Sequence, residues 1–278
     1  MVLASIAVMA VIALSGCSFS LSIPVASQPP PVTLSAPDYV TGHNSISGAL
    51  AYEERQPPYV LFPGGPPVTL TNNPAATDPT WDELMAFVRA DATDRNAYLP
   101  DYYMCGGFAQ DLHNNAEATG IRAGWIAIDF YDKSVGHAAT AFNTTDRGLV
   151  VIDGTSSYDT GGRGLGGGGS EGFDKVAYVV IGEDYGVIAL EVAASPLYNY
   201  YLSYLDKMQA FEELKNDYEQ QAAAYNQAAK SGSQSYGSLK DWYQRLKDME
   251  NELDALSGEL GGYYWESLGT VSEVKVYW

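Results

Sequence analysis

The sequence predicts an α+β fold in which a cysteine-bearing helix packs on an antiparallel sheet and a helical hairpin is appended. Residues 105–119 place apolar side chains at helical spacing, and Gly120 directly after them suits the end of a helix. Three strand-like segments then follow with turn-like residues between them, namely 124–130, 137–142 and 148–153. Because such short connections join neighbouring strands that run in opposite directions, we expect an antiparallel meander.

The hairpin is predicted from the periodicity of residues 197–260. Apolar or small residues recur there at spacings of three and four, in two runs joined by the short polar turn 231–233. Two heptad-patterned helices joined by a short turn are typical of an antiparallel, coiled-coil-like hairpin. Residues 271–278 alternate between apolar and polar, so we expect the C-terminal segment 261–278 to hold a strand that returns to the main sheet.

The N-terminal segment has the features of an export signal. Residues 2–14 form an apolar run of secretory length that is too short to span a membrane as a helix. The run ends in Leu14-Ser15-Gly16-Cys17, which resembles the lipobox of prokaryotic lipoproteins, where the signal is cut before the cysteine and the cysteine is acylated. The resemblance implies a signal peptide and lipobox at 1–17, lipidation of Cys17, and a body held at the extracytoplasmic face of the membrane. An uncleaved anchor, or an ordinary signal with a chance cysteine, are the alternatives.

The next segment is expected to be a linker. Residues 18–75 contain many prolines, which favour extended backbone and remove hydrogen-bond donors. We therefore expect an extracytoplasmic tether that holds the domain off the membrane. The short segments 59–62 and 67–71 could still pack on the domain.

The main domain is expected at residues 76–196. Its first helix is predicted from Thr80, a suitable N-cap, with Glu83 at the capping-box position. A glycine-rich tract at 161–169 matches a dinucleotide-binding pattern, but the strand-like segment 175–181 follows it instead of a helix. We therefore interpret the tract as a loop and expect no cofactor.

The charge of the chain excludes one class of partner. Lys and Arg number 15 against 34 Asp and Glu, which gives a formal net charge of −19. Such a chain repels phosphate backbones, and no basic cluster is present, so we expect no nucleic-acid binding. The same charge opposes binding to anionic lipid head groups, so membrane attachment is expected to depend on the lipid anchor alone.

Cys105, His137 and Asp153 form the candidate catalytic group. With Cys17 lipidated or removed, Cys105 is the only thiol left, and an unpaired cysteine outside the cytoplasm is a liability unless it is used. The alternative is a buried core cysteine. Its place in the first turn of a helix favours a thiolate there. His137 begins one predicted strand and Asp153 ends the next, so both are expected at the same edge of the sheet.

These three residue types in this arrangement are suited to acyl transfer. A free thiol is only slightly ionised at neutral pH, and an adjacent imidazole can take its proton while a carboxylate orients the imidazole. The backbone N–H of Cys105 is a natural oxyanion donor, and a hydroxyl of Tyr102 or Tyr103 is a candidate for the second. A metal site built from the same three side chains is a weaker alternative because no further ligand is evident.

The motifs around these residues resemble the transglutaminase-like superfamily. Cys105 at a helix start, Gly136-His137-Ala138 on a strand and Ile152-Asp153-Gly154-Thr155 at the end of the next match the order and spacing of its motifs over roughly residues 80 to 160. The resemblance implies a papain-like α+β core with Cys105 as the nucleophile, His137 as the base and Asp153 as its partner. The family often has an aromatic residue after the histidine, whereas Ala138 stands here.

The function implied by the resemblance is that of a cysteine hydrolase. We expect a peptidase or amidase, without cofactor or metal, that acts on a peptide or protein substrate such as a cell-wall or surface-layer component. Hydrolysis is preferred because water is abundant and no site for an acceptor amine is evident. The alternatives are a non-catalytic surface module that binds peptide or glycan in the same cleft, and a transglutaminase that cross-links proteins.

Overall fold

The computed structural model describes residues 51–53, 55–156, 163–164, 174–261 and 263–278. They form an α+β fold with an antiparallel sheet and a long helical hairpin, so the predicted fold class is confirmed at this level. The signal peptide and lipobox expected at 1–17, with Cys17, lie outside the described residues, as does most of the glycine-rich tract 161–169.

Among the elements that precede the meander, a short edge strand comes first. In chain order they are β1 (Ala51–Glu53), α1 (Trp81–Ala90), a 3-10 turn (Thr93–Arg95) and α2 (Cys105–Thr119). The capping box predicted for α1 is present, because the Thr80 hydroxyl accepts from the Glu83 N–H and the Glu83 side chain accepts from the Thr80 N–H. Helix α2 ends, as predicted, at Gly120, which has φ 88°.

The remaining elements build the sheet and the hairpin. They are β2 (Gly124–Phe130), β3 (His137–Thr144), β4 (Gly148–Asp153), β5 (Arg163–Gly164), β6 (Lys175–Tyr178), β7 (Gly186–Ala189), α3 (Tyr198–Ser231), α4 (Tyr236–Leu260), β8 (Tyr263–Tyr264) and β9 (Val271–Tyr277). The main sheet has seven strands in the order β1-β9-β2-β3-β4-β6-β7, antiparallel throughout except for β1, which runs parallel to β9. Strands β5 and β8 form a separate pair.

Different parts of the chain pack on the two faces of the main sheet. On one face Phe142 and Ile152 pack with Leu112 of α2 and with Tyr204 of α3. On the other face the alternate side chains pack against Trp265 and the chain that leads into β9. Strand alternation explains this division, because successive residues point to opposite faces.

Residues 55–75, expected to belong to the linker, pack instead on α2. Val68 and Leu70 are buried. The N–H of Thr69 donates to the Gln110 side chain at 2.7 Å, and the N–H of Thr71 donates to the Asn114 side chain at 2.8 Å. The short segments 59–62 and 67–71 thus pack on the domain, as the sequence allowed, because amide side chains on α2 take up backbone donors of this extended segment and an apolar surface receives its side chains.

The hairpin joins the domain only at one end. We call this end the hairpin root, residues 198–211 of α3 and 253–260 of α4, where Tyr201, Met208 and Leu253 belong to the core around α2. Beyond it most side chains are exposed, with Tyr225 and Leu246 as the buried exceptions. Across the part of the chain that the structure describes, no helix combines the length and the apolar character needed to cross a membrane.

Candidate active site

The start of α2 is tightly packed around Cys105. The chain at Leu61 passes so close that a Cβ on Gly106 would lie 3.4 Å from the Leu61 carbonyl oxygen. A Cβ on Gly107 would lie 3.0 Å from the ring of Tyr103. The two glycines, which weaken helix propensity, therefore let neighbouring chain segments close on the first turn of α2 and fix its position.

The same turn presents free backbone donors beside the sulfur. The first hydrogen bonds of the helix run from the N–H groups of Gly107 and Phe108 to the Met104 carbonyl, at 2.8 and 3.2 Å. The preceding N–H groups, those of Cys105 and Gly106, have no acceptor within the helix. Cys105 itself is a free, half-buried cysteine. The positive end of the helix dipole thus lies at the thiol.

Strand register brings His137 and Asp153 together. Thr140 pairs with Ile152 where the β3–β4 ladder ends, so Asp153 lies opposite Ala139. Because alternate residues share a face, His137 projects from the same face as Asp153. The His137 Nε2 and the Asp153 Oδ2 are 3.0 Å apart, and both side chains are buried. The placement at one edge of the sheet agrees with the expectation from the sequence.

Cys105 lies beside His137, close enough for its thiol to act on the imidazole. Since Asp153 engages Nε2, the Nδ1 of His137 is the nitrogen left for the sulfur. Burial alone would lower the pKa of His137, but the charge of Asp153, its hydrogen bond and the adjacent Cys105 raise that pKa to about 10. The imidazole is thus held as a cation, which is the protonation state that stabilises a neighbouring thiolate.

Asp153 accepts several further contacts. The Thr155 N–H donates to its Oδ1 at 2.9 Å, and the Tyr185 hydroxyl donates to its Oδ2 at 2.8 Å. The ammonium of Lys175 lies 3.9 Å from Oδ1. Burial would raise the pKa of Asp153, but the charges of Lys175 and His137 and the hydrogen bonds from His137 and Thr155 hold it well below the usual range.

Sequence reasoning identified the three central residues but missed Lys175 and Tyr185. One signal could have found Lys175, because it opens the otherwise apolar strand-like segment 175–181 on the strand next to Asp153. No local signal marks Tyr185, which lies in the connection before β7 and reaches Asp153 only through the fold.

The tyrosines considered as oxyanion donors have other roles in the structure. The Tyr103 hydroxyl donates to the Asp111 carboxylate at 2.6 Å and accepts from the Asn96 side chain at 3.1 Å. Tyr102 is 70% exposed and stacks on Phe62. The hydroxyl of Tyr103 is therefore held by polar partners of its own, and it is not available as an oxyanion donor.

His113 is the one histidine of α2. It is fully buried, with its Nδ1 3.1 Å from the Asn114 side-chain oxygen, and burial lowers its pKa. It lies two turns along the helix from Cys105, so its role is structural. Within the described residues, no group of three or more His, Cys, Asp or Glu side chains is arranged to hold a metal ion.

Comparison with known proteins adds no relative to this description. No family model, no curated protein and no solved structure matches the chain.

Proposed function

We propose that this protein is a membrane-anchored, extracytoplasmic cysteine hydrolase, a peptidase or amidase with a transglutaminase-like, papain-like core. The observation that carries the proposal is the continuous chain of contacts from Cys105 through His137 to Asp153. It combines a nucleophile at a helix start, a buried imidazole held as a cation and a carboxylate that fixes its orientation. A core cysteine with only a packing role needs none of these partners.

The reaction follows from the arrangement. The Cys105 thiolate attacks the carbonyl carbon of an amide, and the carbon–nitrogen bond of the tetrahedral intermediate breaks as His137 gives its proton to the leaving amine. A thioester between the acyl group and Cys105 remains. Neutral His137 then takes a proton from water, the resulting hydroxide displaces the sulfur, and the acid leaves while the thiolate–imidazolium pair is restored.

The charge on the tetrahedral oxygen needs donors at the start of α2. The N–H groups of Cys105 and Gly106 are the first of the helix and have no intrahelical acceptor. They point out of the positive end of the helix dipole, where a negative oxygen is favoured. We assign the Cys105 N–H as one donor and the Gly106 N–H as the second.

The surroundings of the site favour a substrate with apolar side chains. Tyr102 lies three residues before Cys105 and Val135 two residues before His137, and both are 70% exposed. Outside the hairpin, the other large apolar side chains that the structure describes as exposed are Val60, Leu99 and Tyr131. Such a concentration on loops next to the nucleophile and base fits a peptide substrate with apolar residues near the attacked amide.

Turnover of fluorogenic peptides tests the hydrolase proposal. Cys105→Ala should abolish cleavage and His137→Ala should nearly do so, whereas Asp153→Ala should leave more residual activity because Asp153 acts through the base and does not itself contact the substrate. His113→Gln serves as the control, since it changes a histidine of the same helix outside the triad. Undiminished turnover by a folded Cys105→Ala variant contradicts the proposal.

The same assay separates the alternatives. Incorporation of a fluorescent primary amine into the peptide, in place of release of the free acid, would indicate cross-linking rather than hydrolysis. Peptide binding that persists in Cys105→Ala, without cleavage by the unaltered protein, would indicate a binding module. The anchor is tested separately: Cys17→Ser should release the protein from the membrane fraction of the producing cells.

A further inference from the structure

Lys175 is a buried cation that the reaction steps above do not use. Its side chain is fully buried at the start of β6, directly opposite Asp153 in the β4–β6 ladder. Its Nζ lies 3.9 Å from the Asp153 Oδ1, donates a hydrogen bond to the Thr155 carbonyl and stands over the Trp265 ring, 5.4 Å from the centroid. A lysine is almost never fully buried without a partner, because desolvating the ammonium is costly.

Tyr185 approaches the same carboxylate from the other side. Its hydroxyl donates to the Asp153 Oδ2, the oxygen that also contacts His137. Its ring meets the His137 ring edge to face, with the centroids 5.4 Å apart. Burial and the charge of Asp153 raise its pKa well above the ordinary value, so the hydroxyl stays protonated and remains a donor.

We propose that Lys175 and Tyr185 are positioning residues of the triad, which act on catalysis through Asp153. Lys175 supplies a counter-charge beside Oδ1, and Tyr185 fixes the rotation of the carboxylate so that Oδ2 faces His137. Burial lowers the pKa of the Lys175 ammonium, and the charges of Asp153, Asp174 and Asp94 act against that lowering. The inference rests on the proposed function, since a triad that does not turn over needs no such support.

The catalytic cycle explains why the charge of His137 alone is not enough to keep Asp153 ionised. The imidazole is a cation before attack and neutral after it has protonated the leaving amine. In the second state Asp153 would be a fully buried carboxylate without a cation beside it, which favours protonation of the carboxylate or its movement. Lys175 keeps a positive charge next to Asp153 in both states, so the carboxylate can accept from His137 throughout the cycle.

The charges around Asp153 define what removal of Lys175 should do. His137 on β3, Cys105 on α2, Tyr185 before β7 and Lys175 on β6 surround the carboxylate, and Asp174 and Asp94 lie beyond Lys175. Loss of the Lys175 charge favours protonation of Asp153, and a neutral Asp153 no longer supports the His137 cation beside the sulfur. The pH range in which Cys105 and His137 exist as a thiolate–imidazolium pair should therefore move upward.

The test measures the rate of Cys105 alkylation by iodoacetamide against pH, with circular dichroism as the check on folding. Lys175→Met should move the acid limb of the profile to higher pH. Tyr185→Phe should lower the plateau rate several-fold. The matched controls are Lys275→Met, a strand lysine paired with Glu273, and Tyr178→Phe, a buried strand tyrosine whose hydroxyl donates to Ser195. Neither control should change the profile.

The double variant Lys175→Met with Asp153→Asn decides between positioning and simple packing. With Asp153 neutral, Lys175→Met should cause no further shift of the profile. If Lys175→Met alone does not fold, the double variant should recover folding, because both members of the buried pair are then uncharged. Three outcomes each overturn the role of Lys175. The first is a folded Lys175→Met protein with the unaltered profile, and the second is an equal shift in the Asp153→Asn background. The third is a double variant that also fails to fold. An unchanged Tyr185→Phe profile overturns that of Tyr185.

The comparison with His137→Ala keeps this inference separate from the proposed function. If the His137→Ala variant has the same alkylation profile as the unaltered protein, the triad itself is not active, and the proposed function fails. If His137→Ala slows alkylation but Lys175→Met and Tyr185→Phe do not affect it, only the inference fails.

Discussion

His137 is the residue on which the chemistry depends, because it contacts both the nucleophile and the carboxylate. Its burial disfavours the charged imidazolium, whereas Asp153 and Cys105 favour it, and the second effect is the larger. Burial strengthens these interactions, since a low local dielectric weakens charge attraction less than water does. In the proposed reaction, this single histidine serves as the cation of the resting pair and as the acid for the leaving group.

The raised pKa of His137 predicts the basic limb of the pH–rate profile. Its folded-state pKa of about 10 lies above the ordinary value of 6.5, so the proton is retained at neutral pH and lost as the pH rises through about 10. We expect turnover to fall across that range, because neutral His137 cannot protonate the leaving amine. The stability that the buried ion pair contributes should begin to fall above the ordinary pKa of 6.5 and be lost by about pH 10. Initial rates and thermal unfolding from pH 7 to 11 check both expectations, and a fall in turnover centred near pH 7 would contradict the first.

At the scale of elements, the hairpin is divided between a packed root and an exposed remainder. Tyr204 donates its hydroxyl to the Leu260 carbonyl and thereby ties α3 to the end of α4. Leu253 belongs to the core shared with α2 and the sheet, whereas Leu246, one heptad earlier, is buried only within the hairpin. The root is therefore part of the domain core, whereas Leu246 of the outer part does not belong to that core.

Two matched leucines test this division. Leu253→Ala should lower the free energy of unfolding of the domain by about 2–5 kcal/mol, the usual cost of such a cavity in a core. Leu246→Ala, the same change at similar burial on the same helix, should loosen the outer hairpin and leave domain unfolding nearly unchanged. Denaturant unfolding followed by near-UV circular dichroism measures both. Equal losses would mean that the whole hairpin unfolds with the domain.

The sequence was sufficient to predict those elements whose determinants are local. The Thr80–Glu83 capping box, Gly120 and the turn-like residues between strands placed α1, α2 and the meander, because each acts within a few residues. The sequence allowed segments 59–62 and 67–71 to pack on the domain but could not predict their partners, because Gln110 and Asn114, which bind residues 69 and 71, lie far along the chain.

The candidate site, too, could be predicted from the sequence only in part. The order of Cys105, His137 and Asp153 along adjacent elements allowed their meeting at one edge to be predicted. Lys175 and Tyr185 reach Asp153 only after β6 and the connection before β7 have paired and packed, so no local pattern specifies them. Long-range contacts of this kind depend on sheet order, and the local pattern does not determine that order.

At the scale of the whole molecule, the excess of acidic residues includes three aspartates that lie together in one surface depression. Asp174 lies with Asp91 and Asp94 in a depression that Arg89 and Arg95 also line. Burial first, and then the charge of Asp94, raise the pKa of Asp174 to about 8, although Lys175 acts in the opposite direction. In a chain of net charge −19, this carboxyl is stabilised by staying protonated.

Asp174 therefore predicts a loss of stability as the pH rises. The folded state holds this proton up to about pH 8, whereas the unfolded chain releases it near the ordinary value of 3.8, so stability should fall as the pH rises from about 4 to 8. Asp174→Asn, which carries no charge, should raise the melting temperature more at pH 8.5 than at pH 5. Asp254→Asn on the exposed face of α4 is the control. An equal change at both pH values would contradict the expectation.

The most direct test of the account is the pH dependence of Cys105 alkylation in the soluble domain, with His137→Ala beside it. The account predicts that the unaltered protein alkylates much faster at neutral pH than the His137→Ala variant, because only the unaltered protein holds an imidazolium beside the sulfur. Coincident profiles for the two proteins would mean that His137 does not activate the thiol, and would contradict the assignment of this site as a catalytic triad.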